Sequence, residues 1–302
     1  MATYLVTGGL GFIGSYIADG LQEKGHKVRI LDNNPAATRA TDPNGREIII
    51  ADINDQGALT KAFAGIAGCF HLAAIPSVTQ SNEQWLETHR VNLTGAINVF
   101  NTARDAKTPV VYASSAAVYG DNPNIPLTED ASKHPLSAYG ADKLGSELHA
   151  MVASHIHGVP TTGLRFFNVY GNGQKADSPY SGVISKFIQQ AKAGQALQIY
   201  GDGQQTRDFI HVKDVANLTL AAMDNVSTKA KVYNLCSGSG TSINALAKLI
   251  IDLSGQALDI DYQPARAGDI LDSVGEPALS INDLKVSPQV SLEDGLRALL
   301  TT

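Results

Sequence analysis

Short apolar runs recur through the first half of the chain, and amphipathic stretches separate them. Tyr4-Leu5-Val6-Thr7, Lys27-Val28-Arg29-Ile30-Leu31 and Ile48-Ile49-Ile50 lack the period of a surface helix and read as buried parallel strands. The pattern predicts strands near 3–7, 27–32, 47–50, 69–73, 109–114 and 160–166, with helices between them that include 92–104 and Ala138–His157. Such alternation predicts an α/β fold, a doubly wound parallel sheet with helices on both faces. Open sheets of this kind bind ligands beyond the carboxyl ends of their strands. His71-Leu72-Ala73-Ala74 and Ser114-Ser115 fall at two such ends.

The first strand runs into Gly8-Gly9-Leu10-Gly11-Phe12-Ile13-Gly14, and an amphipathic run through Leu21 follows. Glycines between a strand and a helix let the backbone turn tightly and approach a pyrophosphate, at which the helix aims its free N–H groups. This context predicts a Rossmann dinucleotide site on Gly8, Gly11 and Gly14. The next strand ends in Asp32, eighteen residues beyond Gly14. An acid there accepts hydrogen bonds from the adenosine ribose hydroxyls and repels a 2′-phosphate, so the expected cofactor is NAD rather than NADP. Beyond the third strand, Asp52 stands where an adenine amino group could be reached.

After about residue 167 the character changes. Loops rich in Gly, Asn, Asp and Pro, as at 172–181 and 201–205, surround shorter elements, while Val232-Tyr233-Asn234-Leu235 reads as one return to the sheet. The expected organisation is an NAD-binding unit over 1–167 with a return near 209–236, interleaved with a smaller C-terminal lobe over 168–302 that mostly binds substrate.

Composition narrows the partners. A chain of 302 residues buries a sizeable core. Its formal net charge of −6, without a Lys/Arg run, argues against nucleic acid or an anionic membrane. Cys69 and Cys236 match no metal or disulfide framework, so a reducing cytoplasm is expected. His155 and His157 would point to different faces of a helix, so no metal site is expected. Met1 leads almost directly into a strand, so no signal peptide is expected, and no apolar stretch approaches membrane-spanning length.

Candidate chemistry sits in Tyr139-Gly140-Ala141-Asp142-Lys143, with Ser115 upstream. Tyr139 and Lys143 are four apart and share one face of a helix. A free tyrosine, with a pKa of about 10, is only roughly 0.1% phenolate at neutral pH. Making it a base there takes about three pKa units, or roughly 4 kcal/mol. An ammonium about 5 Å away supplies roughly 3 kcal/mol at an effective dielectric of about 20. A positive nicotinamide could supply the rest.

The residues quoted so far, with Val91-Asn92-Leu93-Thr94-Gly95, Ser114-Ser115-Ala116-Ala117-Val118-Tyr119-Gly120, Arg165-Phe166-Phe167-Asn168-Val169-Tyr170-Gly171 and Arg207-Asp208-Phe209-Ile210-His211-Val212, resemble the extended short-chain dehydrogenase/reductase family, and within it the nucleotide-sugar epimerases. The resemblance covers nearly the whole chain. It implies that Phe12 and Ile13 line the pyrophosphate turn and that Asp52 and Ile53 hold the adenine. Leu72, Ala73 and Ala74 would offer backbone around the cofactor, with Asn33, Asn92 and Phe167 completing its site. Ser115 would bridge the sugar 4-hydroxyl and Tyr139, and Lys143 would depress the Tyr139 pKa and bond the nicotinamide ribose. Asn168 would meet the substrate diphosphate, clamped by Arg207 and Arg266, whose guanidiniums each suit two oxygens at once. The helices at 92–104 and Ala138–His157 resemble those that pair across a two-fold axis, which implies a homodimer.

By the same resemblance, related dehydratases carry an Asp-Glu pair after the catalytic Ser or Thr, and decarboxylating relatives keep a Glu there. Here Ala116 and Ala117 can neither donate nor accept a side-chain proton. The expected reaction is therefore epimerisation at carbon 4 of a UDP-sugar through a 4-keto intermediate, with NAD tightly held. An NAD-dependent sugar dehydrogenase, an epimerase acting at another carbon, and an NAD-sensing regulator without activity remain alternatives. Beyond Arg266-Ala267-Gly268-Asp269 the chain reaches Ser273, at a place where a large aromatic residue in the related 4-epimerases excludes an N-acetyl group. A serine there leaves room, so UDP-GlcNAc is expected to be accepted as well as UDP-glucose.

Overall fold

Apolar side chains on both faces oblige a strand to be covered on both sides, and six early segments have that character. They are Thr3–Thr7 (β1), Lys27–Asp32 (β2), Glu47–Ile50 (β3), Gly68–His71 (β4), Val110–Ser115 (β5) and Thr161–Phe166 (β6). The second half adds Asn168–Tyr170 (β7), Leu197–Tyr200 (β8), Thr206–His211 (β9), Lys231–Leu235 (β10), Gly240–Ser242 (β11), Ile260–Gln263 (β12) and Asp272–Ser273 (β13). The computed structural model describes residues 1–34, 44–174, 182–265 and 270–301.

Helices alternate with the strands: Phe12–Glu23 (α1), Gln56–Phe63 (α2), Val78–Glu83 (α3), Trp85–His89 (α4), Gly95–Ala103 (α5) and Ala138–His157 (α6). Val183–Lys192 (α7), Val212–Asp224 (α8), Ile243–Ser254 (α9), Ala278–Leu284 (α10) and Leu292–Thr301 (α11) follow. Seven strands form one sheet in the order β10-β6-β5-β4-β1-β2-β3, and every pairing in it is parallel. Because neighbouring side chains point to opposite faces, Leu5, Leu31, Cys69 and Tyr112 pack under α2, α5 and α6, while Val6, Ile30, Phe70 and Val111 pack under α1 and α8. Strand order reverses between β1 and β4, which opens a crevice over Gly8 and the segment after His71.

The expected helix at 92–104 is longer and less regular than its pattern suggests. It continues from α4 through a π-helical turn, Arg90–Thr94, into α5. The smaller lobe gathers β7, β9, β11 and β13 into one sheet and β8 and β12 into a pair. It has a separate core around Phe187, Ile199, Leu246 and Leu296. Among the described residues no helix is long and apolar enough to cross a membrane.

Candidate active site

At the glycine turn the backbone leaves no room for a side chain. A Cβ on Gly14 would stand 2.2 Å from the Gly8 carbonyl oxygen, so only glycine lets α1 begin this close to the loop. Gly11 is the N-cap of α1 and provides no side-chain cap, which leaves first-turn N–H groups for an anion. At the rim, Asp32 accepts from the Leu10 N–H and the Asn34 N–H, both at 3.0 Å. Each carboxylate oxygen keeps a lone pair for a ribose hydroxyl. This donor set fits a dinucleotide without a 2′-phosphate.

Across the crevice, Leu72 N–H donates to the Thr7 carbonyl at 3.0 Å, and Ala73 N–H donates to Thr7 Oγ1 at 3.3 Å. The same hydroxyl lies 2.8 Å from His71 Nδ1. Leu72, Ala73 and Ala74 thus present half-buried backbone toward the glycine turn. Asn92 is buried behind them, with its Oδ1 accepting from Ile75 N–H at 2.8 Å and its Nδ2 donating to Ile75 C=O at 3.1 Å. Its amide braces this loop from below.

Four further expected cofactor residues have these surroundings. Ile53 and Phe167 are buried, Ile53 against Gly95 and Phe167 in a cluster with Val118, Tyr119, Leu127 and Cys236, so their side chains act as walls. Asn33 is exposed. Asp52 turns to Arg90 at 2.9 Å and to the Asn54 N–H at 2.8 Å. Partial burial would raise its pKa, but the Arg90 and Asn54 hydrogen bonds outweigh that and hold it below the usual carboxylate value.

Three first-turn N–H groups of α6 are capped by side chains. Ala138 N–H donates to Asn82 Oδ1 at 3.1 Å, Tyr139 N–H to Ser81 Oγ at 3.1 Å, Gly140 N–H to Ser137 Oγ at 3.0 Å and Ala141 N–H to Ser137 C=O at 3.0 Å. The first three are among the N–H groups that a helix leaves unpaired, and the fourth bond is the first of the helix itself. A Cβ on Gly140 would meet the Ala117 carbonyl oxygen at 2.6 Å, so glycine lets α6 rest against the turn Ala116–Val118 that follows Ser115. The Tyr139 phenol lies close enough to the Ser115 hydroxyl for that hydroxyl to favour its ionised form. Lys143 Nζ lies 5.6 Å from the centre of the Tyr139 ring and donates to Ala113 C=O at 2.9 Å. Burial pushes the phenol up to about 12, with the Ser115 hydroxyl pulling the other way. Burial likewise pushes Lys143 down to about 8, against the charge of Asp142.

On the other side of the crevice, Asn168 on β7 donates from Nδ2 to Asp208 C=O at 3.2 Å. Arg207 on β9 lies in register with Ser273 on β13, and both are half-buried. Arg266 lies outside the described residues. Between these groups, fully buried Asp208 accepts from Ser237 N–H and Oγ at 2.7 Å, Gly238 N–H at 2.9 Å and Gly275 N–H at 3.3 Å. Sequence reasoning missed Thr7, Ser81, Asn82 and Asp208 as supports. Ser81 and Asn82 act on residues 58 and 56 positions away, so no local pattern marks them. Asp208 lay inside a quoted motif, and an acid between a cationic and an apolar residue on a strand was the available signal.

A parallel sheet with a glycine turn at its switch point, beside a Ser/Tyr/Lys group, defines a dinucleotide-dependent enzyme of the Rossmann class. The chain belongs to the NAD dependent epimerase/dehydratase family, whose model matches residues 4–236. It is 33% identical over 302 residues to a putative UDP-glucose 4-epimerase of Methanocaldococcus jannaschii, covering 98% of this chain and 96% of that one. It superposes on the UDP-N-acetylglucosamine 4-epimerase of Methanobrevibacter ruminantium M1, solved with UDP-N-acetylmuramic acid, with a TM-score of 0.93 at 34% identity, covering 99% and 97% of the two chains. The UDP-glucose 4-epimerase of Thermotoga maritima, solved with UDP-glucose, matches with a TM-score of 0.94 at 30% identity, covering 99% and 97%.

Proposed function

We propose that this chain is an NAD-dependent epimerase that inverts carbon 4 of a UDP-sugar, acting on UDP-glucose and UDP-galactose and also accepting UDP-GlcNAc and UDP-GalNAc. The observation that carries this reading is the grouping of Ser115, Tyr139 and Lys143 beside the glycine turn, followed by Ala116 and Ala117 alone. Oxidation at a hydroxyl-bearing carbon has its base there, while elimination has none in those two places.

Gly8, Gly11, Phe12, Ile13, Gly14 and Asp32 would hold NAD, with the 72–74 backbone opposite. Bound oxidised NAD supplies reversible two-electron oxidation of the sugar carbon and a positive charge beside the phenol. Tyr139 as phenolate takes the 4-hydroxyl proton, with Ser115 bridging the two oxygens. With the phenol pushed up to about 12, ionisation near pH 7 takes about five units, roughly 7 kcal/mol, rather than the three of a free tyrosine. Lys143, whose ammonium stands 5.6 Å from the ring centre, would contribute about 3 kcal/mol of that at a similar distance from the phenol oxygen and an effective dielectric of about 20. After the keto sugar turns, held through its diphosphate by Asn168 and Arg207, Tyr139 returns the proton to the oxygen at carbon 4.

We read 1–167 with the return at 209–236 as the NAD-binding unit and 168–302 as mostly the substrate lobe, which the pairing of β10 with β6 supports. Exposed Leu148, Met151, Val152 and Ile156 on α6 support a homodimer, and free Cys69 and Cys236 support a reducing cytoplasm. The activity is tested by incubating purified protein with each UDP-sugar without added NAD, following sugars by NMR and NADH by absorbance. The 4-epimer should form with no net NADH. Stoichiometric NADH release would replace the epimerase reading with a dehydrogenase.

A further inference from the structure

The segment from Gly120 to Leu136 runs from the turn after Ser115 to Ser137, the cap of the helix that carries Tyr139. It therefore joins, along the chain, the two side chains read as sharing the sugar hydroxyl. Asn122 Nδ2 donates to Ser132 C=O at 3.1 Å and draws its ends together. Its middle reaches the substrate lobe. Leu127 N–H donates to Val274 C=O at 2.8 Å, and Leu127 C=O accepts from Glu276 N–H at 2.9 Å. Those partners follow directly on Ser273, and Gly275 N–H between them donates to Asp208 at 3.3 Å.

One buried side chain holds both ends of this path. Asn234 on β10 is fully buried and in register with Arg165 on β6. Its Oδ1 accepts from the Tyr119 hydroxyl at 2.7 Å, and Tyr119 closes the turn that follows Ser115. Its Nδ2 donates to Leu127 C=O at 2.8 Å, and its own N–H donates to the Glu129 carboxylate at 2.8 Å. Arg165 completes the set, donating to the Tyr119 hydroxyl at 2.7 Å and to Glu129 C=O at 2.8 Å. A primary amide carries a donor and an acceptor on one side chain, whereas an alkyl group has neither and a carboxylate only acceptors. The phenol needs an acceptor here and the Leu127 carbonyl a donor, so an amide serves both. Val118, Tyr119, Leu127, Phe167 and Cys236 form one apolar cluster, which joins the turn to the loop by packing as well.

We propose that Asn234 is a positioning residue that holds the turn after Ser115 in register with the segment after Ser273, so that the acceptor side of the site and the wall beside the sugar move as one body. This rests on the reading of Ser115 and Tyr139 as the reacting group and of the Ser273 segment as part of the sugar site. It adds a requirement: a change at a fully buried strand residue should alter turnover and substrate choice together.

The tie is read by amide hydrogen exchange of the full chain without ligand, followed by mass spectrometry of its peptides. Asn234→Leu, close in size, should speed exchange about tenfold or more in peptides spanning 121–131 and 272–278, while peptides of β1 and β2 keep wild-type rates. Asn234→Ala, smaller and also without an amide, serves if Asn234→Leu does not fold. Wild-type exchange in both peptides of a folded variant overturns the proposal, and loosening of 121–131 alone overturns the link to Ser273. Activity, counted per bound NAD, separates the two arms. Tyr119→Phe cuts only the arm to the turn and should lower kcat several-fold with KM little changed. Asn234→Leu cuts both, and should lower kcat about tenfold and shift the ratio of kcat/KM for UDP-GlcNAc and UDP-glucose. An unmoved kcat in Tyr119→Phe, or an unmoved ratio in Asn234→Leu, overturns the corresponding arm. The exchange measurement needs no turnover, so an inactive wild type would sink the epimerase reading without deciding this one.

Discussion

The helix that carries Tyr139 and the lobe that carries Arg207 and Ser273 are held in opposite ways. Around Tyr139, three first-turn N–H groups of α6 meet the side chains of Asn82, Ser81 and Ser137. Arg207 and Ser273, by contrast, stand half-buried across a two-residue strand, with Asp208 as the buried anchor beneath. Reacting atoms tolerate little displacement, because an error of about 1 Å costs on the order of a hundredfold in rate. A wall that selects a sugar can change without unfolding the scaffold that carries it. On the proposed reading, the better-braced side sets the chemistry and the other side sets the substrate.

The sharpest way to break that contrast is Tyr139→Phe, which keeps the ring and the packing of α6 but removes the proton acceptor. Turnover should fall by about two or more decades while NAD binding persists. Steady-state kinetics with a parallel NAD titration checks this, and near-normal turnover would reduce Tyr139 to a helix residue. Lys143→Ala probes the same side more gently. The base works only when ionised, so losing about 3 kcal/mol of support raises its pKa by roughly two units. The acid limb of the pH–rate profile should therefore move to higher pH. An unmoved limb would mean that Lys143 does not act on the phenol.

The two sides also differ in how far the sequence discloses them. β1 to β6 and the return at β10 each carry a short apolar stretch, which burial against the helices on the two faces favours. The glycine turn and the Tyr139/Lys143 spacing are local patterns and equally readable. β13 is two residues long and exists only because Thr206 and Arg207, 66 positions away, pair with it. No period marks such a strand. The π-helical turn at Asn92 is hidden for a similar reason, since it serves the Ile75 backbone rather than any pattern within its own helix. Asp52 and Asn92 are legible as residue types, whereas their partners Arg90 and Ile75 come from tertiary packing.

A third prediction addresses the rim between the two sides. Leu10 and Asn34 N–H groups fix the Asp32 carboxylate where a 2′-phosphate would have to fit. Like charges at that range repel, so NAD should bind more than about tenfold better than NADP. A direct binding titration decides it, and equal affinities would mean that Asp32 does not face the ribose.

The smallest effect is expected on the loose side, at Ser273. Its register with Arg207 sets it beside the group read as the diphosphate clamp, on a strand too short to fix a pocket alone. If Ser273 walls the space next to the sugar's carbon 2, as proposed, a serine leaves room there and the wild type should epimerise UDP-GlcNAc as well as UDP-glucose. Ser273→Tyr fills that space. A steric change in a pocket is worth about 1–3 kcal/mol, so kcat/KM for UDP-GlcNAc should drop roughly tenfold or more. UDP-glucose, which lacks the N-acetyl group, should be little affected. The ratio of the two kcat/KM values is the quantity to measure, because damage to the strand itself would lower both together. If the wild type already rejects UDP-GlcNAc, or the variant handles both sugars as the wild type does, the gate is another side chain. The contrast between a rigid catalytic side and an adjustable substrate side would then need a different residue to carry it.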